Sequence, residues 1–178
     1  MTRTAISPRL AIRIFFSTGA NVGAVSSESH VGGTRRGGSD PVVWPPGWSV
    51  EHVVETGSTN SDLLAAAAAG APDRSVLFTD HQHAGRGRLD RTWTAPPGTN
   101  LLVSILFRAP PHDPGELTRR VGLAAIDGVN ASTGVSAVLK WPNDVLLDDT
   151  KLPGILSQRE PCGEVVDVLG LNVWCPPD

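Results

Sequence analysis

The chain has 178 residues, 15 Lys plus Arg against 18 Asp plus Glu, and a formal net charge of −3. That length supports one domain with a sizeable core, and the negative balance provides no global basic field for DNA or an anionic membrane surface. Two cysteines, Cys162 and Cys175, are too few for a disulfide framework and match no metal-ligand spacing. They fit a reducing, cytosolic setting, and no apolar run reaches the roughly 18 residues of a membrane span.

The start of the chain differs from the rest. Residues 1–46 are rich in Arg, Ser, Gly and Pro, with no acid before Glu28. They read as a disordered extension; a transit peptide has the same composition. Pro45-Pro46 marks the boundary, and residues 47–178 read as the folded domain. There WSVEHVVET (48–56) alternates as a strand does. GSTNSDLLAAAAAG follows as a helix, with Ser58 or Thr59 as its cap, Asp62 in its first turn and Gly70 as its stop. SVLFT (75–79) is a short buried strand, and NLLVSILFR (100–108) a longer one. The segment 114–133 carries helical spacing through Leu117, Val121, Ala124, Ala125 and Val129. VSAVLK (135–140) is a strand, and WPNDVLLDDTKLPGIL a strand, a turn at Asp148-Asp149 and a second strand. EVVDVLGLNV (164–173) is the last strand. Strands outnumber helices and do not alternate with them strictly, which argues against a doubly wound sheet.

Between two of these strands lies HQHAGRGRLDRTW, residues 81–93, with three arginines in six positions. Gly85 and Gly87 allow close backbone approach to a ligand. Arg86, Arg88 and Arg91 carry planar donors suited to carboxylate or phosphate, and Trp93 presents a stacking face. The same composition describes a solvated loop, and the segment lacks both a P-loop ending and dinucleotide spacing. LKWPNDVLL (139–147) places Lys140, Asn143 and Asp144 at a strand end, where Pro, Asn and Asp also make an ordinary turn. In KLPGIL, Lys151 opens a strand and Gly154 lies within it, a mark of close approach by a ligand or another backbone; Lys151 is equally able to pair with Asp148-Asp149. GSTN is a helix N-cap, and a helix N-terminus also binds anions or polar ligands. His81 and His83 lack a third metal ligand nearby. No Ser-His-Asp order supports a hydrolase.

Taken together and in this order, GSTN, Q-x-AGRGR-x-x-R-x-W, KWPND, K-x-x-GIL and a final G-x-N resemble the catalytic domain of biotin–protein ligases, over about residues 48–174. The resemblance implies an α+β fold similar to class II aminoacyl-tRNA synthetases: a mixed β-sheet flanked by helices, with the helices on one side. It implies joining of biotin to ATP, giving biotinyl-5′-AMP and pyrophosphate, then transfer to a lysine of a biotin carboxyl carrier domain of acetyl-CoA carboxylase or a related carboxylase. By position, Ser58, Thr59, Asn60 and Gln82 line the biotin pocket. Gly85, Arg86, Gly87 and Arg88 form the loop over biotin and the adenylate. Lys151 stands by the biotin carboxyl, so Arg86, Arg88 and Lys151 are the expected catalytic cations. Arg91, Trp93, Lys140, Asn143 and Asn172 are the expected ATP-binding residues. ATP and Mg²⁺ are the implied nucleotide and ion, the latter without a cluster of protein metal ligands. A homodimer through sheet edges is compatible with such a fold; nucleic acid and membrane are not among the implied partners.

Four features depart from the pattern. Asp90 stands where a glycine is usual, and Pro153 where a small residue is common. Val168 replaces the first glycine of G-x-G-x-N, either as a loss or through a local change of register. The chain ends at Asp178 without the further helix and SH3-like domain of the family, so the domain reads as C-terminally truncated. Residues 1–45 carry no helix-turn-helix pattern for a repressor role. Asp90, Val168 and the C-terminus define the alternative of an impaired remnant that binds biotin or its adenylate. A lipoate ligase or octanoyltransferase is the alternative within the superfamily.

Overall fold

A computed structural model describes residues 44, 46–87, 91–98, 100–110, 112–133, 136–141, 144–147, 150–162 and 164–174. The expected extension, up to residue 43, therefore lies outside the described residues, as do Arg88, Asp90, Asn143 and Cys175. The strands are β1 (Ser49–Thr56), β2 (Ser75–Gln82), β3 (Gly85–Arg86), β4 (Thr92–Trp93), β5 (Asn100–Arg108), β6 (Val138–Lys140), β7 (Asp144–Leu147), β8 (Thr150–Cys162) and β9 (Glu164–Trp174). The helices are α1 (Thr59–Ala68) and α2 (Pro114–Thr133). Seven strands form one sheet in the order β1-β2-β5-β9-β8-β7-β6, and β3 and β4 pair separately. β1 and β2 are parallel, and the remaining neighbours in the sheet are antiparallel. The mixed sheet of the expected α+β class is therefore present.

The helices cover opposite faces of this sheet, which corrects the expectation of helices on one side. Alternation along a strand decides the face of each side chain. Val76 and Phe78 of β2 and Leu101, Val103 and Ile105 of β5 pack with Leu117, Val121 and Ala125 of α2. The intervening Leu77 and Leu106 pack with Leu63 and Ala67 of α1. Coverage on both sides explains why β2 and β5 read as continuous apolar runs rather than alternating ones. Gly122 lets α2 sit close: a Cβ there would meet Leu139 Cδ1 at 3.0 Å and Ile155 Cδ1 at 3.4 Å.

The ends of both helices follow local chemistry. Ser58 is the N-cap of α1 in extended conformation, without a side-chain capping bond. At the other end the Gly70 N–H donates to Ala67 O, and the Ala71 N–H to Ala66 O. With Gly70 at φ +93°, this is a Schellman stop. Arg108 of β5 reinforces it, donating from Nε to Ala71 O at 2.7 Å and from Nη2 to Ala67 O at 2.8 Å. α2 begins with Pro114 at its first position. Asp113 Oδ1 accepts from the Gly115 N–H at 2.9 Å, and Asp113 Oδ2 from Arg119 at 2.6 Å. Those two donors hold the Asp113 carboxyl below its ordinary pKa, the arginine bond being the larger cause.

Two boundaries differ from the sequence reading through tertiary contacts. β2 runs on to Gln82 because β1 continues beside it, with Thr56 opposite Gln82. β6 opens at Val138, past the described residues 136 and 137, because Asn130 Oδ1 takes the Ala137 N–H at 2.7 Å. Registration along β9 is unbroken from Val166 to Trp174. Val168 is thus a direct replacement, opposite Leu106 and Gln158, with no change of register. Pro153 is also accounted for. Asp144 pairs with Gly154 and Leu146 with Lys151, so the ladder slips across 152–153. A bulge is where a residue without an N–H fits a sheet.

Candidate functional site

The N-terminus of α1 is pinned to the end of β2. The His83 N–H donates to Thr56 O at 3.1 Å and the Ala84 N–H to Gly57 O at 2.9 Å. This brings GSTN against HQHAG, two motifs more than twenty residues apart. Ser58, Thr59, Asn60 and Gln82 are all buried, none more than 6% exposed. Gln82 Oε1 accepts from the Thr59 N–H at 2.8 Å and lies 3.0 Å from Thr59 Oγ1. Four of the residues expected at the pocket are therefore brought together.

Two further residues complete this cluster, and neither belongs to the expected set. Ser104 of β5 is fully buried. Its Oγ lies 2.7 Å from Thr59 Oγ1 and 2.5 Å from Asn60 Oδ1. Gln158 of β8 accepts from Asn60 Nδ2 at 2.8 Å, and that nitrogen also faces Leu156 O at 3.5 Å. Ser104 carried a signal in the sequence, as a single hydroxyl inside an apolar strand, because a buried polar group needs a partner. Gln158 follows from counting alternate residues beyond Gly154.

The cluster is one hydrogen short. Thr59 and Ser104 contribute one hydroxyl hydrogen each. Three oxygen–oxygen contacts need one: Thr59 with Gln82, Ser104 with Thr59, and Ser104 with Asn60. The outer partners, Gln82 Oε1 and Asn60 Oδ1, are carbonyl oxygens and only accept. With Asn60 Nδ2 turned to Leu156 O and Gln158 Oε1, one contact joins two acceptors however the two hydrogens are placed. A donor arriving from a ligand would satisfy it.

Beside the cluster, β3 and β4 form a small hairpin. Gly85 is buried and opposite Trp93. A Cβ at Gly85 would lie 2.7 Å from Trp93 O and 3.5 Å from Gln82 Nε2. The Gly87 N–H donates to Arg91 O at 2.7 Å. Arg86 and Arg91 are exposed, and among the described residues no carboxylate pairs with them. Trp93 is partly buried, with its Nε1 enclosed and lacking a partner among the described residues.

The other expected residues stand along the same end of the sheet. Thr79 is opposite Leu102, Leu102 opposite Asn172, Asn172 opposite Gly154, Gly154 opposite Asp144, and Asp144 opposite Lys140. Lys151 pairs with Leu146 near this row. Lys140 is exposed, as is Trp141 beyond it, at 74%. Among the described residues no three His, Cys, Asp or Glu side chains gather to hold a metal. A Mg²⁺ ion there would have to be carried chiefly by phosphate oxygens and water, a common mode for this ion. Among the described residues no helix is long and apolar enough to cross a membrane.

Comparison with known proteins agrees with this geometry. Residues 56–173 match the model of the biotin/lipoate A/B protein ligase family. The chain is 43% identical over 140 residues to the biotin–[acetyl-CoA-carboxylase] ligase of Mycobacterium tuberculosis, covering 74% of this chain and 52% of that protein. It is 30% identical over 127 residues to the bifunctional ligase/repressor BirA of Bacillus subtilis, covering 68% and 39%. It thus spans about half, or less, of the length of these relatives. Among solved structures, the biotin protein ligase of Aquifex aeolicus in complex with biotin and ATP superposes with a TM-score of 0.62 at 25% identity, over 70% of this chain and 51% of that one. A match across most of the folded part, on the segments that build the buried cluster and its hairpin, establishes that the chain belongs to the biotin/lipoate A/B protein ligase family.

Proposed function

We propose that the protein binds biotin at the N-terminus of α1, activates it with ATP to biotinyl-5′-AMP, and passes the biotinyl group to a lysine of a carboxylase carrier domain. The observation that carries this reading is the buried cluster of Thr59, Asn60, Gln82 and Ser104, which lacks one hydrogen. A cyclic urea provides N–H donors beside a carbonyl. Its N–H would fill the missing position, and Gln82 Nε2 is a donor for its carbonyl. The head groups of lipoate and octanoate have no N–H, so they would leave the acceptors facing each other in a dry site, at a cost of about 1–3 kcal/mol. The cluster therefore favours biotin among the substrates of the family.

The chemistry needs no covalent enzyme intermediate. A biotin carboxylate oxygen attacks the α-phosphorus of ATP, and the bond from that phosphorus to the bridging oxygen of pyrophosphate breaks. Two anions must meet. Arg86, Arg88 and Lys151 are assigned to offset that repulsion, and holding the reactants in line provides much of the rate. Arg91, Trp93, Lys140, Asn143 and Asn172 are assigned to the nucleotide, with Mg²⁺ on its phosphates. In the second step the amine nitrogen of the carrier lysine attacks the acyl carbon, and AMP leaves. Closure of the Gly85–Arg88 loop would keep water from the mixed anhydride. A cytosolic setting fits a carrier-domain partner, and a homodimer through an edge strand, β1 or β6, remains part of the proposal.

The test is biotin-dependent exchange of labelled pyrophosphate into ATP by the full chain, with lipoate as the control. Exchange with biotin alone is expected. Exchange with lipoate alone would refute the substrate assignment, and none with either would refute the activity.

A further inference from the structure

We infer that Thr79 is the positioning residue for Gln82: its buried hydroxyl turns the end of β2 so that Gln82 reaches the N-terminus of α1. The inference rests on the biotin reading above and deepens it. Alternation along β2 sets the problem. Val76 and Phe78 pack under α2, and Leu77 packs under α1. Even-numbered positions continue on the α2 side, so a straight strand would hold Gln82 away from α1. Its Oε1 nevertheless takes the Thr59 N–H at 2.8 Å. A backbone N–H only donates, so this contact also fixes which end of the Gln82 amide faces Thr59. The strand must therefore turn between Phe78 and Gln82.

Thr79 turns it with backbone partners alone. The residue is fully buried. The ladder with β1 pairs Val53 with Thr79 and Glu55 with His81, and omits Val54 and Asp80 between them. The Thr79 hydroxyl enters at that gap. The His81 N–H donates to Thr79 Oγ1 at 3.3 Å. The hydrogen of the hydroxyl faces His81 O at 3.0 Å and Val54 O at 3.2 Å. Whichever carbonyl takes it, the hydroxyl holds the backbone of His81, the residue before Gln82. A threonine side chain bonded two residues onward makes a local turn. Past the turn the chain is tied again, by the His83 N–H to Thr56 O at 3.1 Å and the Ala84 N–H to Gly57 O at 2.9 Å. Gln82 is held from both sides, and Thr79 is the side chain in that hold. None of these Thr79 bonds goes to a side chain of the cluster, so Thr79 acts on the ligand only through Gln82.

The requirement is for a hydroxyl, and this separates a positioning role from a merely structural one. Thr79→Val keeps the shape and the strand preference and removes the hydroxyl. Thr79→Ser keeps the hydroxyl. The experiment measures biotin Kd by calorimetry, KM and kcat in pyrophosphate exchange, and solvent exchange of the Thr59 backbone amide by NMR in the ligand-free protein. In T79V the His81 N–H loses its acceptor, β2 straightens and Gln82 withdraws from Thr59. Kd and KM for biotin should rise about tenfold and kcat stay within about twofold, the loss matching one unmet buried hydrogen bond. The Thr59 amide, having lost its acceptor, should exchange about tenfold faster. T79S should stay within about threefold of the parent in Kd, with the Thr59 amide protected. A merely structural role would lower the Tm of T79V and leave both readouts unchanged. Biotin binding by folded T79V at the parent affinity would therefore overturn the inference, and so would a tenfold loss in T79S. Should T79V not fold, T79S decides by the same two readouts. If the parent chain itself fails to bind biotin, the proposed function fails instead. The NMR arm alone then decides: an unchanged Thr59 amide in T79V overturns the positioning role, and faster exchange that T79S restores supports it.

Discussion

Replacing Gly85 by alanine tests whether the hairpin is a closure element rather than part of the folding core. The added Cβ would lie 2.7 Å from Trp93 O and 3.4 Å from Trp93 Cβ. The first contact is to backbone, so no rotamer change relieves it; β4 must move away from β3. Overpacking of this kind costs about 1–3 kcal/mol. The hairpin is separate from the seven-stranded sheet, so that cost should appear as opening of the hairpin and not as loss of the fold. Unfolding would then occur within a few degrees of the parent Tm. Retention of biotinyl-5′-AMP should fall about tenfold or more, since roughly 1.4 kcal/mol is a factor of ten. The assay forms the adenylate, removes free ligand and follows its release or hydrolysis with time. Parent-like retention in a G85A protein whose hairpin is otherwise intact would refute the closure argument. A collapse in Tm with parent-like retention per folded molecule would refute the separation of hairpin from core.

Thr59→Val removes the central hydroxyl of the cluster and keeps its N–H bond to Gln82. Calorimetry should show biotin Kd raised about tenfold, the scale of one buried hydrogen bond left unmade, with ATP binding unchanged. Arg108→Met keeps the apolar stem but removes the donors to Ala67 O and Ala71 O. A loss of about 2 kcal/mol is expected for hydrogen bonds from a charged group, read as a Tm lower by several degrees. Asp113 has a lowered pKa, so its contribution to stability is fully present above its ordinary pKa and fades as pH falls through the lowered one. Denaturation of the parent and of Asp113→Asn between about pH 6 and 2 should show the difference between them shrinking toward low pH.

Much of the fold was legible because local signals agreed with the tertiary partners. The bounds of β5 and α2 coincide with the expected 100–108 and 114–133, where long apolar periodicity, Asp113-Pro114 and the buried face all point the same way. The end of β2 was not legible. His81 and Gln82 are polar, and they are held in a strand by the parallel ladder of β1, a partner more than twenty residues earlier. The order of strands was equally hidden. β9 inserts between β5 and β8, a long-range pairing that no local pattern encodes. Of the site, Thr59 and Asn60 were legible as a helix N-terminus suited to a polar ligand, whereas Gln82 was implied only by the family resemblance; its bond to Thr59 joins two distant segments. Gln158 was missed because its role comes from contact with Asn60, 98 residues earlier in the chain.

The row that runs from Thr79 through Leu102, Asn172, Gly154 and Asp144 to Lys140 makes five steps between strands. At about 4.8 Å per step this is about 24 Å along the sheet. The buried cluster runs from Gln82 on β2 through Ser104 on β5 to Gln158 on β8, and Lys140 lies on β6, two strands beyond β8. No single small head group reaches both, so the site divides into a biotin end and a phosphate end. In the middle, Gly154 has no side chain to block a ligand lying across the strands. Sites this far apart, without shared partners, act additively. Lys140→Ala should therefore raise KM for ATP about tenfold, the scale of one charge-assisted bond to phosphate, while biotin Kd stays at the parent value. In the T59V/K140A double variant the losses in the free energy of exchange should sum within about 0.5 kcal/mol. An equal loss of biotin affinity in K140A alone would show that the two ends are one site, and would defeat the reading of an elongated ligand laid across the sheet.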